Sequence, residues 1–410
     1  MRRAINQDAY VVVLADSQQR WERRGHLFVV ADGMGAHAAG ELASKLAVQQ
    51  VPLHYDKQID LPPAEALRRA IQEANAEIHR RGQANLEFRN MGTTCTALAL
   101  LPEGAVVGHV GDSRCYQLRG KRLYQLTFDH SLVWEMQAAG DVTDETARSG
   151  VIPKNVITRS LGPNATVEVD LEGPFPVQVG DRFLLCSDGL SGQVSDEEMG
   201  ALLRSLAPQQ AAKFLVDLAN LRGGPDNITC VIVEVVDHRI ETRAGASGGG
   251  PLTLPTGRFS PLLLITTLIC WAAAGLLFLL GSVPLAIVAA VLGAISLLTA
   301  LIRLGANHGG HVASSRYGNG PYRHYPAVAD RELFEHLAGT LKSLREAVEE
   351  RGWKVHWEEL DLRFAEGCAA ADRGNYQLAV GRLAQVISDL MDQIRKQREA
   401  TDPADSSIEL

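Results

Sequence analysis

The sequence predicts an α+β domain over residues 1–237, followed by a two-helix transmembrane hairpin and a C-terminal α-helical region. Three observations carry that expectation. Short β-rich runs joined by brief turns fill the first 237 residues, with helices set apart from them, the pattern of hairpins in a largely antiparallel sheet. Between Arg258 and Arg303 lie 44 residues without a charge, about twice the ~20 that one helical span needs. After residue 328, apolar residues recur at helical spacing.

Composition narrows the function. Of 410 residues, 46% are hydrophobic and 21% charged, a balance that suits folded domains and argues against a disordered or collagenous chain. A net charge of −8 and a pI near 5.9 argue against nucleic-acid binding, which favours a basic face. The six cysteines (95, 115, 186, 230, 270 and 368) show no C-x-x-C pair and read as buried thiols of a reducing compartment. The mean hydropathy of −0.03 averages over a very uneven chain.

Within the first domain, runs at 9–15, 27–31, 94–101, 105–110, 114–118, 122–126, 182–186 and 228–236 read as strands. Pro102-Glu103-Gly104 and Arg119-Gly120-Lys121 read as hairpin turns between them. Leu67, Ile71, Ala74 and Ile78 form the apolar stripe of a helix over 63–81, with Pro63 suited to its first turn. Ser195 and Glu198 make a capping box that opens a helix over 196–206.

Residues 238–260, rich in Gly, Ser, Thr and Pro, read as a flexible linker. The charge-free run divides into spans at 261–280 and 285–302 around a Gly281-Ser282-Val283-Pro284 turn, a buried helical hairpin being the alternative. Arg243, Arg258 and Arg303 flank it, so the expected location is the membrane, with the first domain and the C-terminal region both cytoplasmic. No signal-peptide pattern begins the chain. Residues 303–327 form a second linker, in which His308 and His311 read as solvated rather than metal-bound.

In 328–400, Leu333, Leu337, Leu341, Leu344 and Val348 line one helical face. Ala370, Gly374, Tyr376 and Ala379 resemble half of a tetratricopeptide repeat, present once, so the region reads as a helical hairpin that either binds a protein partner or is purely structural. Residues 401–410 are a tail.

The chemistry lies in aspartates. Apolar runs meet turn-forming residues at FVVADGMG (Asp32), VVGHVGDSR (Asp112), FLLCSDGLSG (Asp188) and GGPDNIT (Asp226), and Asp8 precedes a strand in RRAINQDAY. A lone Asp-Gly after a strand is usually a turn. Five such sites in one domain with no Cys/His cluster suggest an acidic cleft at the strand ends, its repulsion relieved by hard divalent cations; oxygen-only ligands favour Mg²⁺ or Mn²⁺ over zinc. Two such ions would activate a water and clamp a phosphoryl oxygen.

The ordered set Arg3-x-x-Asn6-Gln7-Asp8, Asp32-Gly33-Met34-Gly35, Gly92-Thr93-Thr94, Gly111-Asp112-Ser113-Arg114, Ile157 to Gly162, Ser187-Asp188-Gly189-Leu190 and Pro225-Asp226-Asn227 resembles the metal-dependent protein phosphatase 2C family in its bacterial form, over residues 1–237. The resemblance implies a four-layer αββα sandwich, two packed antiparallel sheets flanked by helices, with two Mn²⁺ or Mg²⁺ ions at one end. It implies phosphoserine and phosphothreonine proteins as substrates, with a Ser/Thr kinase as the opposing partner. Carried over, Asp32 bridges the ions, Gly33 ligates through its carbonyl, and Asp188 and Asp226 complete the pair. Asp8 acts mainly through metal-bound water, Asp112 resembles the ligand of a weaker third ion, and Arg3 matches the arginine that grips the phosphate. Segment 129–160 falls where the family carries a flap that is expected to influence substrate choice.

Departures from the family pattern are also legible. The chain starts two residues before Arg3, which predicts either a late recorded start or a short first edge strand, and Gln7 stands where some relatives have Glu. His37 is a proton-transfer candidate at a spacing unlike that of the eukaryotic histidine, or else a structural residue of its loop. The rival to a phosphatase is a catalytically weak or inactive phosphatase-fold protein that binds or senses at the membrane.

Overall fold

The computed structural model describes residues 5–35, 38–143, 156–242 and 317–401, with Thr146, Pro153 and scattered positions between 271 and 294. They divide into one unit of Met1–Ser247 with Arg316–Leu410 and another of Gly248–Ser315.

In the first unit, β1 (Asp8–Val13), β2 (His26–Met34), β4 (Cys95–Leu101), β5 (Gly104–Val110) and β8 (Asp170–Phe175) form one sheet in the order β1-β2-β4-β5-β8, with the two-residue β3 (Gly92–Thr93) beside β2. Every pairing is antiparallel. Alternation along β2 sends Leu27, Val29 and Ala31 into a core shared with α2 (Ala39–Lys57) and α3 (Pro63–Ala84), while Phe28 and Val30 are buried on the other face. The small side chains Ala43, Ala47, Ala66, Ala70 and Ala74 let those two helices approach closely. A short helix α1 (Gln18–Arg24), capped by Ser17, joins β1 to β2.

The second sheet runs β10-β9-β6-β7-β11, from β6 (Arg114–Arg119), β7 (Arg122–Gln125), β9 (Arg182–Cys186), β10 (Cys230–Glu234) and β11 (Arg323–Pro326). It packs on the first through β2 against β9 and β10, and β4 against β6. Cys95, Cys115 and Cys186 are buried free thiols, whereas Cys270 lies outside the described residues. Over the outer face lie α6 (Asp196–Ser205), opened by the complete Ser195/Glu198 capping box, and α7 (Pro208–Leu221). The connecting segments also carry α4 (Leu132–Ala139) and the one-turn α5 (Asp188–Ser191).

The last strand belongs to the segment that returns after the long interruption. Arg323 pairs with Gln125 and Pro326 with Arg122, so the chain re-enters its first domain as an edge strand. Three helices follow: α8 (Arg331–Arg351), α9 (Trp357–Asp372) and α10 (Tyr376–Thr401). Leu333, Leu337, Leu341 and Val348 are buried in one core with Leu203, Leu206, Phe214 and Leu218 of the α6–α7 layer and Val380, Leu383, Ile387 and Leu390 of α10. The apolar face of α8 is therefore covered by the chain itself. Buried Ala370 and Ala379 flank the α9–α10 turn at Gly374, which explains the small-residue spacing there.

The expected transmembrane hairpin and membrane location are corrected. Among the described residues no helix is long and apolar enough to cross a membrane. Absence of charge meets only the compositional requirement; a span also needs about 20 residues of continuous helix that satisfy their own backbone groups. Most of 261–302 lies outside the described residues, as do His308 and His311.

A buried carboxylate ties the returning segment to β8. Glu172, 2% exposed, accepts the Tyr322 hydroxyl at 2.6 Å and the Gly320 N–H at 2.8 Å. At Gly318, with φ of +66°, a Cβ would lie 1.9 Å from the same carboxylate, so only glycine fits. Burial pushes Glu172 from 4.5 up to about 7, against the pull of those two donors and with the Asp170 charge adding to the rise. A raised folded pKa makes its contribution to stability complete below about 4.5 and lost as pH rises through 7, on the order of 3 kcal/mol in all. Glu172→Gln keeps an acceptor for Gly320 and an amide for the Tyr322 oxygen without the charge. Its denaturation midpoint is expected to gain on the parent's between about pH 5 and 8; parallel pH profiles would contradict this.

Candidate active site

The carboxylates converge because the two sheets are laced together at one end. Asp8 opens β1 directly opposite Asp32 on β2, and opposed residues of an antiparallel pair share a face. Ser187, fully buried after β9, donates to Asp8 Oδ2 at 2.8 Å and accepts the Thr229 N–H at 3.0 Å. Asn227 Oδ1 accepts the Gln7 N–H at 3.0 Å, and its Nδ2 donates to the Ile5 carbonyl at 3.2 Å. These bonds hold the start of β1 against Asp188, first residue of α5, and Asp226, in the turn before β10.

Asp112 arrives from the turn between β5 and β6, where the chain crosses from one sheet to the other. Thr94 Oγ1 binds the Asp32 N–H at 2.9 Å and the Ser113 hydroxyl at 2.8 Å, linking that turn to β2. Gly33 has no room for a side chain: a Cβ would lie 2.2 Å from the Gly40 carbonyl and 2.5 Å from that of Gln7. Its N–H donates to the Gln7 carbonyl at 3.1 Å. Arg3 and His37 lie outside the described residues, as does most of 144–155 in the expected flap.

Electrostatics confirm that the acids sense one another. Burial pushes Asp8 up to about 6, hydrogen bonds from Ser187 and Thr229 pull it back, and the Asp188 and Asp226 charges add to the rise. Asp32 is held well above the usual carboxylate range by burial, then by Asp8, Asp188, Asp112 and Asp226. Burial, Asp188 and Asp129 lift Asp112 to about 7.

The structure adds supporting residues to which sequence reasoning gave no role. His130 accepts the Gly111 N–H at Nδ1 (2.9 Å) and its own N–H donates back to the Gly111 carbonyl (2.8 Å). With Nδ1 accepting, Nε2 carries the proton and donates to Asp170 at 2.9 Å, and Arg159 meets Asp170 at 2.6 Å. His109 stacks on His130, ring centroids 5.0 Å apart, and burial drives its pKa down to about 3, so it stays neutral. Nothing in local spacing marks this network, because its members meet only across β5, β8 and the turn beyond β7.

Residues 2–220 match the protein phosphatase 2C family. The chain belongs to that family. The serine/threonine phosphatase stp of Listeria monocytogenes is 40% identical over 213 residues, covering 51% of this chain and 84% of that one. The serine/threonine phosphatase of S. agalactiae is 32% identical with a TM-score of 0.50, over 58% of this phosphatase and 96% of that chain. The catalytic domain of the phosphatase PstP, in complex with two manganese ions, is 34% identical with a TM-score of 0.47, over 58% and 94%.

The phosphatase's own atoms suit hard divalent ions. Asp8 Oδ1 and Asp112 Oδ1 are buried without a hydrogen-bond partner, an arrangement that is costly unless a cation or water completes it. Among the described residues no three His, Cys, Asp or Glu side chains are grouped so as to hold a metal by themselves. Oxygen-only donors of this kind suit Mg²⁺ or Mn²⁺, which keep several waters, better than zinc.

Proposed function

We propose that this phosphatase hydrolyses phosphoserine and phosphothreonine in proteins at the aspartate-edged end of its paired sheets, and so opposes Ser/Thr kinases. The observation that carries the reading is the convergence of Asp8, Asp32, Asp112, Asp188 and Asp226 within electrostatic reach, at a cost in mutual repulsion that a purely structural turn would not need. Two Mn²⁺ or Mg²⁺ ions, when bound, supply a water of lowered pKa and charge neutralisation for the phosphoryl group.

Asp32, facing Asp8 and flanked by Gly33, would hold the ions together with the Gly33 carbonyl, Asp188 and Asp226 as further oxygen donors; its register opposite Asp8 and the charges of Asp188 and Asp226 around it support this reading. Asp8, kept in place by Ser187, would accept a hydrogen bond from metal-bound water. Asp112 would serve a third, weaker ion. Arg3 is assigned to the substrate phosphate, for which a planar guanidinium is suited, and His37 stays a proton-transfer candidate or else a structural residue of its loop.

The full chain with Mn²⁺ is expected to hydrolyse a phosphothreonine peptide and p-nitrophenyl phosphate, and to stop in excess EDTA. Full activity in EDTA would overturn the metal role. Neither turnover nor calorimetric uptake of Mn²⁺ would instead leave a binding protein of the same fold.

A further inference from the structure

We infer that the C-terminal strand β11 is a positioning element of the active site, acting from Arg323 through Trp134 onto the turn that carries Asp112; its bearing on catalysis rests on the function proposed above. The strand lies outside residues 2–220, over which the family model matches.

The contacts form a continuous path. The Arg323 guanidinium lies 3.8 Å from the centre of the Trp134 ring on α4, and its Nη2 donates to Gln137 Oε1 on the same helix at 3.1 Å. A cation on a buried indole face is held more strongly than one in water. Arg114, two residues beyond Asp112, also lies over that ring, 5.6 Å from its centre, and is fixed by Asp129 at 2.7 Å and Asp196 at 3.4 Å. Trp134 is thus shared by an arginine of the returning strand and an arginine of the Asp112 turn.

A second path runs beside it. Phe128 meets Trp134 edge-on at 5.4 Å and Tyr322 at 5.4 Å, and tilts against His130 at 6.3 Å. His130 in turn exchanges two hydrogen bonds with Gly111, the neighbour of Asp112. Tyr322 is anchored by Glu172, and its N–H donates to the Gln125 carbonyl at 2.9 Å. Both paths start in 322–323 and end at Gly111–Arg114. A small aryl phosphate needs only the carboxylate end, whereas a phosphopeptide also meets the surface that α4 helps to set.

The test uses the full chain with Arg323→Ala and Arg323→Lys. Amide exchange in 132–139 and 111–114 is expected to quicken about tenfold in the alanine variant, with α2 unchanged. In Mn²⁺ the phosphopeptide KM is expected to rise about fivefold and p-nitrophenyl phosphate turnover to fall about threefold, since the Asp112 turn belongs to the carboxylate end that both substrates use. Lysine, charged but without a stacking plane, should restore part of both effects. Uniformly faster exchange including α2 reduces Arg323 to general stability and overturns the inference, as does an unchanged 111–114 segment or an unchanged peptide KM in an active enzyme. If the parent chain hydrolyses neither substrate, the functional reading fails, and the exchange pattern by itself still decides the positioning.

Discussion

Asp32→Asn is expected to lower Mn²⁺-dependent hydrolysis by about 10³-fold while raising the thermal midpoint of the chain in EDTA. The loss follows from the several kcal/mol that metal ions contribute to charge stabilisation in such reactions, at 1.36 kcal/mol per tenfold. The gain follows from the neighbourhood: burial and four other aspartates, Asp8, Asp188, Asp112 and Asp226, oppose the Asp32 charge, and an amide of the same shape removes it. The backbone of residue 32 keeps its bonds to the Thr94 N–H and to the hydroxyls of Thr93 and Thr94, so the strand itself is not disturbed. Opposite signs for activity and stability mark a group kept for function at the expense of folding. An inactive variant that is also destabilised in EDTA would mean that Asp32 is a structural residue, and an active one would remove it from the metal site.

Truncation before residue 316 is expected to destabilise the first unit and make it aggregate. The core that α10 shares with Leu203, Leu206, Phe214 and Leu218 would be opened, at roughly 1.5–3 kcal/mol for each side chain fully uncovered. Four such losses are comparable to the whole stability of a typical domain. Asp217, 1% exposed, would lose the Arg395 guanidinium at 2.9 Å and the Ser388 hydroxyl at 3.1 Å and keep only Lys213 at 3.7 Å. Size-exclusion chromatography and binding of an apolar dye read the outcome. In the full chain, Leu383→Ala probes the same core with an expected cost of about 2–5 kcal/mol. A truncated chain that stays monomeric with an unchanged midpoint would show that the C-terminal helices are a separable module.

The β-rich runs bounded by turn residues were legible, and so were their turns: 94–101 and 105–110 pair as β4 and β5, and 114–118 with 122–126 as β6 and β7. The capping box at Ser195 formed as expected because it needs only four consecutive residues. β8 was missed, since DLEGPF carries a Gly-Pro that signals a turn; its place is fixed by pairing with β5. β11 was missed because four residues in a Gly-rich stretch show no period, and β7 supplies the edge they join. The charge-free run misled in the other direction, because lack of charge is a property of composition and a span is a property of continuous helix.

What the sequence determined by itself is therefore the family, through an ordered motif set, and it pointed to the chemistry through five aspartates, four where apolar runs meet turns and Asp8 just before a strand. Those signals are local, and local propensity acts wherever the chain goes. The tertiary structure decided which acids repel one another, that Ser187 and Asn227 stitch the sheets at that end, and that the C-terminal segment closes the second sheet and covers its helices. Such contacts depend on lateral pairing and on apolar faces finding partners hundreds of residues away. No window of sequence contains both halves of such a contact, and burial is defined only when both are present.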